Sequence, residues 1–407
     1  MRTPSSLSRE ISPPPRLLKR LKTSPTAPSV QKRDDATPTI SAVEAGRAKV
    51  ENHLAYFKEH LSKSCIETKD DEPIIDVGEW TKLYESCEHE HGNHFVVHQH
   101  NHPISGVHYD LRLQFSKTSS LSFALPKGLP GNPNSKSLGR MAIETRVHNL
   151  WNHLIESASA KTGSLLIWDT GTYTILPRKD KAKNPPSPQT TDGESDSESE
   201  PRTTTVKHKN TLYENEKLIE AFCAKSIRLR LDGTRLPKNY TVALRLPSAN
   251  NFGKPLLHPH LPRKRRRRKA HRSQPQANST DSETDYILNL QTYPNDREDG
   301  DIDTDTEESA QTRLNNAYPG STNTIGSVHQ RRWFMLLDRA SSGFVQERGA
   351  GRWVRMGKEE GEGFETFFVG GRDYERSIVT GRLAREVESD EGVEGFVGRS
   401  GWMGVTD

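Results

Sequence analysis

Apolar residues are scarce in this chain. The hydrophobic set makes up only 31% of 407 residues, and counting the 29 glycines as well still leaves it short of the roughly 45–50% usual for globular domains. That shortage excludes one core spanning the whole chain, and predicts one domain of about 150 residues carrying disordered arms and insertions. Cysteine is scarce too. Cys65, Cys87 and Cys223 are too few and too scattered for a disulfide framework, which points to a reducing compartment. No run approaches 18 consecutive apolar residues, so no membrane-spanning segment and no membrane partner is expected. The N-terminus lacks the apolar core of a signal peptide. A strong net charge is missing as well: the formal value is +4, but basic clusters and acidic runs alternate, as in separate interaction segments.

What is present is uneven. Residues 1–40 are rich in Ser, Pro, Thr and basic residues and read as disordered, and residues 41–75 read as a helix and a linker. Ser41 with Glu44 fits a capping box, and Val43, Val50, Leu54, Phe57 and Leu61 recur at helical spacing, predicting one amphipathic helix over 41–63. Residues 76–179 hold the best strand signals: "HFVVHQH", "VHYDLRLQF", "LSFALP", "RMAIETRV" and "SLLIWDTGTYTIL". Residues 180–211 read as a disordered acidic insertion, with "GESDSESE" a composition-level candidate for phosphorylation. Residues 212–250 resume with a helix, "LYENEKLIEAFCA", and the strands "SIRLRLDG" and "YTVALRLP". A second disordered insertion is expected over 251–330, a closing strand over 331–340 and a flexible tail over 341–407. The fold class predicted is mainly β, a small antiparallel barrel with one or two flanking helices.

The densest chemistry lies in "HFVVHQHNHPISGVHYDLRLQF", residues 94–115, with five histidines and one aspartate. On a strand, His108, Asp110, Arg112 and Gln114 share one face, and Tyr109, Leu111, Leu113 and Phe115 the other. The apolar face belongs in a core; Asp and Arg on the opposite face need partners. A metal ion supplies one. His108 and Asp110 are about 6.6 Å apart along the strand and can lean onto one ion. Imidazole with carboxylate suits Mn, Zn or Fe. Arg112, one step further, suits a phosphate. Upstream, His98, His100 and His102 share a face, and one of them can complete the site from a neighbouring strand.

These motifs, "FVVHQH…VHYDLRLQF…FALPKG…GRMAIETRVH…LLIWDTGTY", resemble the 3′-phosphoesterase domain of bacterial DNA ligase D and its stand-alone relatives. The resemblance continues more weakly through "KSIRLRLDGTRLPKNYTVALRL" and "RRWFMLLD". It implies a small β-barrel whose groove holds a catalytic Mn²⁺ (or another divalent metal) and which removes a 3′-terminal ribonucleoside and then the 3′-phosphate from DNA ends. By resemblance His108 and Asp110 match metal ligands, with His100 or His102 as a further one. His102 keeps the family's spacing to His108, whereas His100 keeps the strand register. Arg112 matches a phosphate contact, Lys127 and Arg140 match basic residues of the groove, and His148 matches the later catalytic histidine. Departures are Asn152 where the family has tyrosine, Arg146 and Val147 where acidic residues precede the histidine, and a loop shortened to "SASAKTGS". The expectation is an enzyme of DNA repair acting on DNA 3′ ends, with end-joining or other repair proteins as further partners. The alternative is a catalytically degenerate module that binds DNA ends or a repair partner. "RKRRRRK", residues 263–269, reads as a nuclear import signal and a phosphate-binding tract, giving the nucleus as the expected location.

Overall fold

Side chains on a strand alternate between faces, and here one face is apolar in strand after strand. β1 (His94–His102) turns Phe95 and Val97 to that side, and β2 (Gly106–Gln114) turns Tyr109, Leu111 and Leu113. β3 (Ser119–Leu125) contributes Leu121, Phe123 and Leu125, and β4 (Gly139–Glu144) contributes Ala142. Short β5 (His148–Asn149) and β6 (Ser157–Ser159) follow, with a 3-10 helix at Leu150–Leu154 between them. β7 (Gly163–Ile175) adds Leu166, Trp168 and Tyr173, and β8 (Ser226–Gly233) adds Ile227, Leu229 and Leu231. β9 (Thr241–Arg245) and β10 (Arg332–Leu337) complete the cluster with Val242, Leu244, Trp333, Met335 and Leu337. This is a computed structural model, and it describes residues 38–44, 48–68, 72–178, 212–253, 307–349, 351–357, 361–393 and 396–406.

All these ladders are antiparallel. β1–β4 form one meander and β7–β10 a second. Pairing of β4 with β10 and of β1 with β7 closes the eight strands into a barrel. A barrel of that size has an interior filled by side chains, and the core described above fills it. The chain is mainly β, as the strand patterning predicts. Both long polar segments fall in connections of the second meander, one after β7 and one between β9 and β10. Of the segments expected to be disordered, residues 1–37, 180–211 and 254–306 lie outside the described residues.

A second, smaller core covers the outward faces of β1 and β7. α1 (Ile40–Glu44), α2 (His53–Lys63) and α3 (Val77–Glu85) lay Ile40, Val43, Phe57, Leu61 and Trp80 against Val96, Leu165 and Ile167. The one helix predicted over 41–63 is thus two. The Asn52 side chain accepts the Ala55 N–H at 2.9 Å and starts a fresh helix. Glu44 accepts the Ser157 hydroxyl at 2.5 Å rather than closing a capping box with Ser41. α4 (Glu214–Cys223) returns the chain to β8, burying Leu218 and Phe222.

Two other expectations are corrected. The last part of the expected 251–330 insertion is ordered where described: α5 (Glu307–Asn315) leads into a segment that bonds to Val147 and buries Ile325. The expected flexible tail packs on the barrel. β11 (Phe344–Gln346) and β12 (Trp353–Arg355) pair, and Phe344, Phe364 and Val369 join the main core. Glu375 accepts the Tyr109 hydroxyl and, at 3.2 Å, Gln99 Nε2. Trp402 Nε1–H donates to the Pro126 carbonyl at 2.8 Å. Arg382, just before α6 (Ala384–Asp390), reaches the buried Glu156 carboxylate at 3.0 Å, which also accepts the Thr380 hydroxyl at 2.7 Å. Isolated apolar anchors and buried charge pairs hold this segment, and neither leaves a period in the sequence.

Candidate metal centre

The register of the β1–β2 ladder assembles the site. His100 lies directly opposite His108, and His98 directly opposite Asp110, so four polar side chains share one outward-facing patch. His100, His108 and Asp110 each bring a ligand atom within 4.8 Å of the others. His100 Nδ1 is 3.4 Å from Asp110 Oδ2, and His108 Nε2 is 3.6 Å from Asp110 Oδ1. The far nitrogen of each ring is anchored on a backbone carbonyl: His100 Nε2–H donates to Thr162 at 2.8 Å, and His108 Nδ1–H to Gly106 at 2.9 Å. This fixes the tautomers so that the inward nitrogens present lone pairs, the arrangement that orients histidine ligands in metalloproteins. Two imidazoles and one carboxylate suit a divalent cation of the Mn, Zn or Fe type. The residues present therefore fit such an ion.

The patch faces outward but is buried beneath neighbouring loops, with His108, Asp110 and Arg112 all below a tenth exposed. Burial disfavours a charged Asp110, yet His108, His100 and Arg112 together hold its carboxyl well below the usual carboxylate range. Burial pushes His108 down to about 4, leaving it neutral and ready to coordinate. Burial would also lower His100, but the Asp110 carboxylate outweighs it and holds His100 above its ordinary value. Arg112 Nη2 lies 3.7 Å from Asp110 Oδ2, and its Nη1 donates to the Asn152 carbonyl at 3.1 Å. On β3, Ser122 pairs with Arg112 and Ser120 pairs with His148, so His148 sits across one strand from the guanidinium. Its Nδ1–H donates to the Arg146 carbonyl at 2.8 Å. Burial, then the Arg112 charge, hold His148 well below its ordinary pKa, so it is a neutral imidazole.

The remaining candidates are placed elsewhere. His102 Nδ1 accepts the backbone N–H groups of Ile104 at 3.2 Å and Ser105 at 3.1 Å, so it ties the β1–β2 turn and lies outside the ligand group. Arg140 pairs with Met335 on the core-facing side of β4 and donates to the Ser137 carbonyl, so it does not meet the metal centre. Its strand parity, shared with core residue Ala142, is the reason. Lys127 lies at the turn after β3, where its ammonium meets the Met403 carbonyl at 3.4 Å. In "IWDTG", Asp169 is structural: its carboxylate accepts the N–H groups of Thr170, Thr234, Arg235 and Leu236, each at 2.9 Å, and so pins the β8–β9 turn. Gly171 is needed because a Cβ there would meet Asp232 O at 2.0 Å.

Sequence reasoning missed several groups. Thr162 and Gly106 act through carbonyls, which carry no side-chain signal. His98, one of the three upstream candidates, is not among the missed groups: it is wholly buried opposite Asp110, outside the ligand cluster, and neither ring nitrogen has a hydrogen-bond partner among the described residues. Tyr318, from a segment 170 residues beyond His148, packs on the His148 ring with centroids 4.8 Å apart. Nothing in its local sequence marks it.

The site is thus a cluster of two imidazoles and one carboxylate on the outside of a small antiparallel barrel, with an arginine and a further histidine alongside. Comparison with known proteins agrees on the relationship. Residues 98–244 match the family described as the DNA Ligase D 3′-phosphoesterase domain. Over 86 residues the chain is 37% identical to the multifunctional non-homologous end joining DNA repair protein LigD of Mycobacterium tuberculosis (strain H37Rv), covering 20% of this chain and 10% of that protein. The same figures hold for the multifunctional non-homologous end joining protein LigD of Mycobacterium bovis. The chain thus spans about a tenth of the length of these curated relatives. Across the matched span this chain carries a domain similar to the DNA ligase D 3′-phosphoesterase. The matched span begins at His98 in β1 and ends in β9, so α1–α3 and the described stretches 361–393 and 396–406 lie outside it.

Proposed function

We propose that this chain is a metal-dependent 3′-phosphoesterase that processes DNA 3′ ends in repair, removing a 3′-ribonucleotide or a 3′-phosphate. The observation that carries the reading is the convergence of His100, His108 and Asp110 within 4.8 Å, with Arg112 3.7 Å from the same carboxylate. His100 Nδ1, His108 Nε2 and Asp110 would hold a divalent cation, taken here as Mn²⁺, which supplies Lewis acidity toward a phosphoryl oxygen. Arg112 neutralises charge that develops on the phosphorus oxygens, helped by its fixed fork on the Asn152 carbonyl. His148 is neutral, with Nδ1–H committed to Arg146, so Nε2 is the atom that accepts a proton or a substrate hydrogen bond. The end-joining context of the relatives, together with the basic tract at 263–269, leads us to propose nuclear repair proteins as partners.

One observation favours a second reading, a degenerate DNA-end-binding module. Asn152, in the family's tyrosine position, uses its side chain to accept the Asn149 N–H at 3.1 Å, so it contributes only its carbonyl to Arg112. The test is an assay of the full chain on a primer-template ending in one 3′-ribonucleotide or a 3′-phosphate, with and without Mn²⁺. Product that needs the metal and vanishes in Asp110→Ala supports the enzyme. Tight end binding without product supports the module.

A further inference from the structure

The segment after α5 is fastened along β5 by its backbone. Val147 N–H donates to Asn316 at 2.9 Å, Tyr318 N–H returns to Val147 at 3.0 Å, and Ala317 bridges Val147 in parallel. Asn149 Nδ2 donates to the Pro319 carbonyl at 2.8 Å, and Thr322 N–H to Ser119 Oγ at 2.9 Å. Gly320 takes a φ of +88°, and a Cβ there would press on Asn149 Oδ1 at 2.9 Å. Asn316 and Ala317 are buried, each at 7% exposure, yet between these anchors Tyr318 remains 37% exposed. The ring is tilted over His148 at 4.8 Å, with the Arg146 guanidinium 5.9 Å from its centroid. Among the described residues no hydrogen bond holds the Tyr318 hydroxyl. A large aromatic that is held at both ends by backbone anchors, more than a third exposed and set beside a guanidinium next to the candidate site is the arrangement on which nucleobases stack.

We propose that Tyr318 is the platform on which the 3′-terminal nucleoside of the DNA end stacks, holding its phosphate over Asp110 and Arg112. This rests on the phosphoesterase reading of the same site and adds a binding subsite to it. The subsite is supplied by the 316–322 segment, which lies outside the matched family span. Tyr318 contacts the ligand and leaves the bond-breaking to the groups on β2 and β5.

The test uses the full chain and a primer-template carrying 2-aminopurine as its 3′-terminal nucleotide, with EDTA present so that nothing is cleaved. Wild type should quench the terminal fluorophore on binding. Tyr318→Leu should lose most of that quenching and bind about tenfold more weakly, the lower part of the range for one stacked base. Tyr318→Phe should retain both, and equal melting temperatures for the three proteins establish that each is folded. In Mn²⁺, Tyr318→Leu should raise KM about tenfold with a much smaller change in kcat. Equal quenching and equal KM in wild type and Tyr318→Leu would overturn the platform. So would a fall in kcat alone, because that is the signature of a residue that merely steadies His148. If wild type stacks the terminal base but releases no product in Mn²⁺, the phosphoesterase reading fails and the platform stands. If wild type cleaves without quenching, the platform fails and the enzyme stands.

Discussion

Asp110 is the residue on which the centre turns, since it is the lone carboxylate between two imidazoles and a guanidinium. Asp110→Asn keeps the shape but removes the charge. Removing mere supporting groups around a metal costs 10–100-fold, so Asp110→Asn should weaken Mn²⁺ binding by at least about 100-fold in a calorimetric titration. His100 and His102 separate cleanly by the same measurement. His100→Ala should lose comparable affinity. His102→Ala removes the acceptor of two turn N–H groups and an edge contact with the His100 ring but no ligand atom, so it should leave affinity within about threefold and cost about 1 kcal/mol of stability. If His102→Ala abolished metal binding, the assignment of the third ligand would move from His100. The His100–Asp110 contact also sets a pH dependence. His100 is held above its ordinary value and must shed a proton to coordinate, so affinity should fall as pH drops through that raised value, by up to about tenfold per pH unit. A flat affinity from pH 8 to pH 6 would contradict it.

Among the elements, the strands were legible because burial on one face stamps a period of two on the sequence. The faces of β2 could be assigned residue by residue, and that assignment placed His108, Asp110 and Arg112 together. Arg140 was misplaced because spacing along a motif does not reveal strand parity, whereas its pairing with Met335 does. The break between α1 and α2 was hidden because Asn52 begins a new helix without interrupting the apolar spacing. The docked 361–393 segment was hidden for a different reason: what fixes it is a contact between Glu156 and Arg382, 226 residues apart. Both side chains are essentially inaccessible, at 0% and 3% exposure, and Glu156 also accepts the Ile167 N–H at 3.1 Å. Removing one partner strands the other charge in a low-dielectric site, so Arg382→Ala should cost about 3–5 kcal/mol in urea unfolding. A change below about 1 kcal/mol would mean that the segment sits on the barrel without supporting it.

At the scale of the whole molecule, buried imidazoles couple the fold to pH. His94 Nε2–H donates to Thr170 Oγ1 at 3.1 Å, because that hydroxyl already donates to the Phe95 carbonyl. A neutral His94 therefore offers Nδ1 as an acceptor, and His153 Nδ1–H fills it at 2.7 Å. Protonating His94 would set two N–H groups face to face inside the protein. Burial holds His94 at about 3, and burial followed by the Arg146 charge holds His329 at about 4. Burial also holds His98, His148 and His153 well below their ordinary value. In the unfolded chain each returns to about 6.5. The unfolded state thus binds more protons below that pH, and the stability these groups contribute is complete above about 6.5 and lost as pH falls toward their folded values. Each fully shifted histidine removes up to about 1.4 kcal/mol per pH unit in that window, while His100, shifted the other way, opposes them weakly. Metal-free protein should therefore lose several kcal/mol between pH 7.5 and pH 5.5, and the loss should appear as a lower urea midpoint at unchanged m-value. His329→Gln, remote in sequence from the ligands, should reduce the pH slope by about one proton while leaving the pH 7.5 midpoint nearly unchanged. An equal midpoint at both pH values would show that these imidazoles are hydrated in the folded protein, and the buried cluster would have to be abandoned.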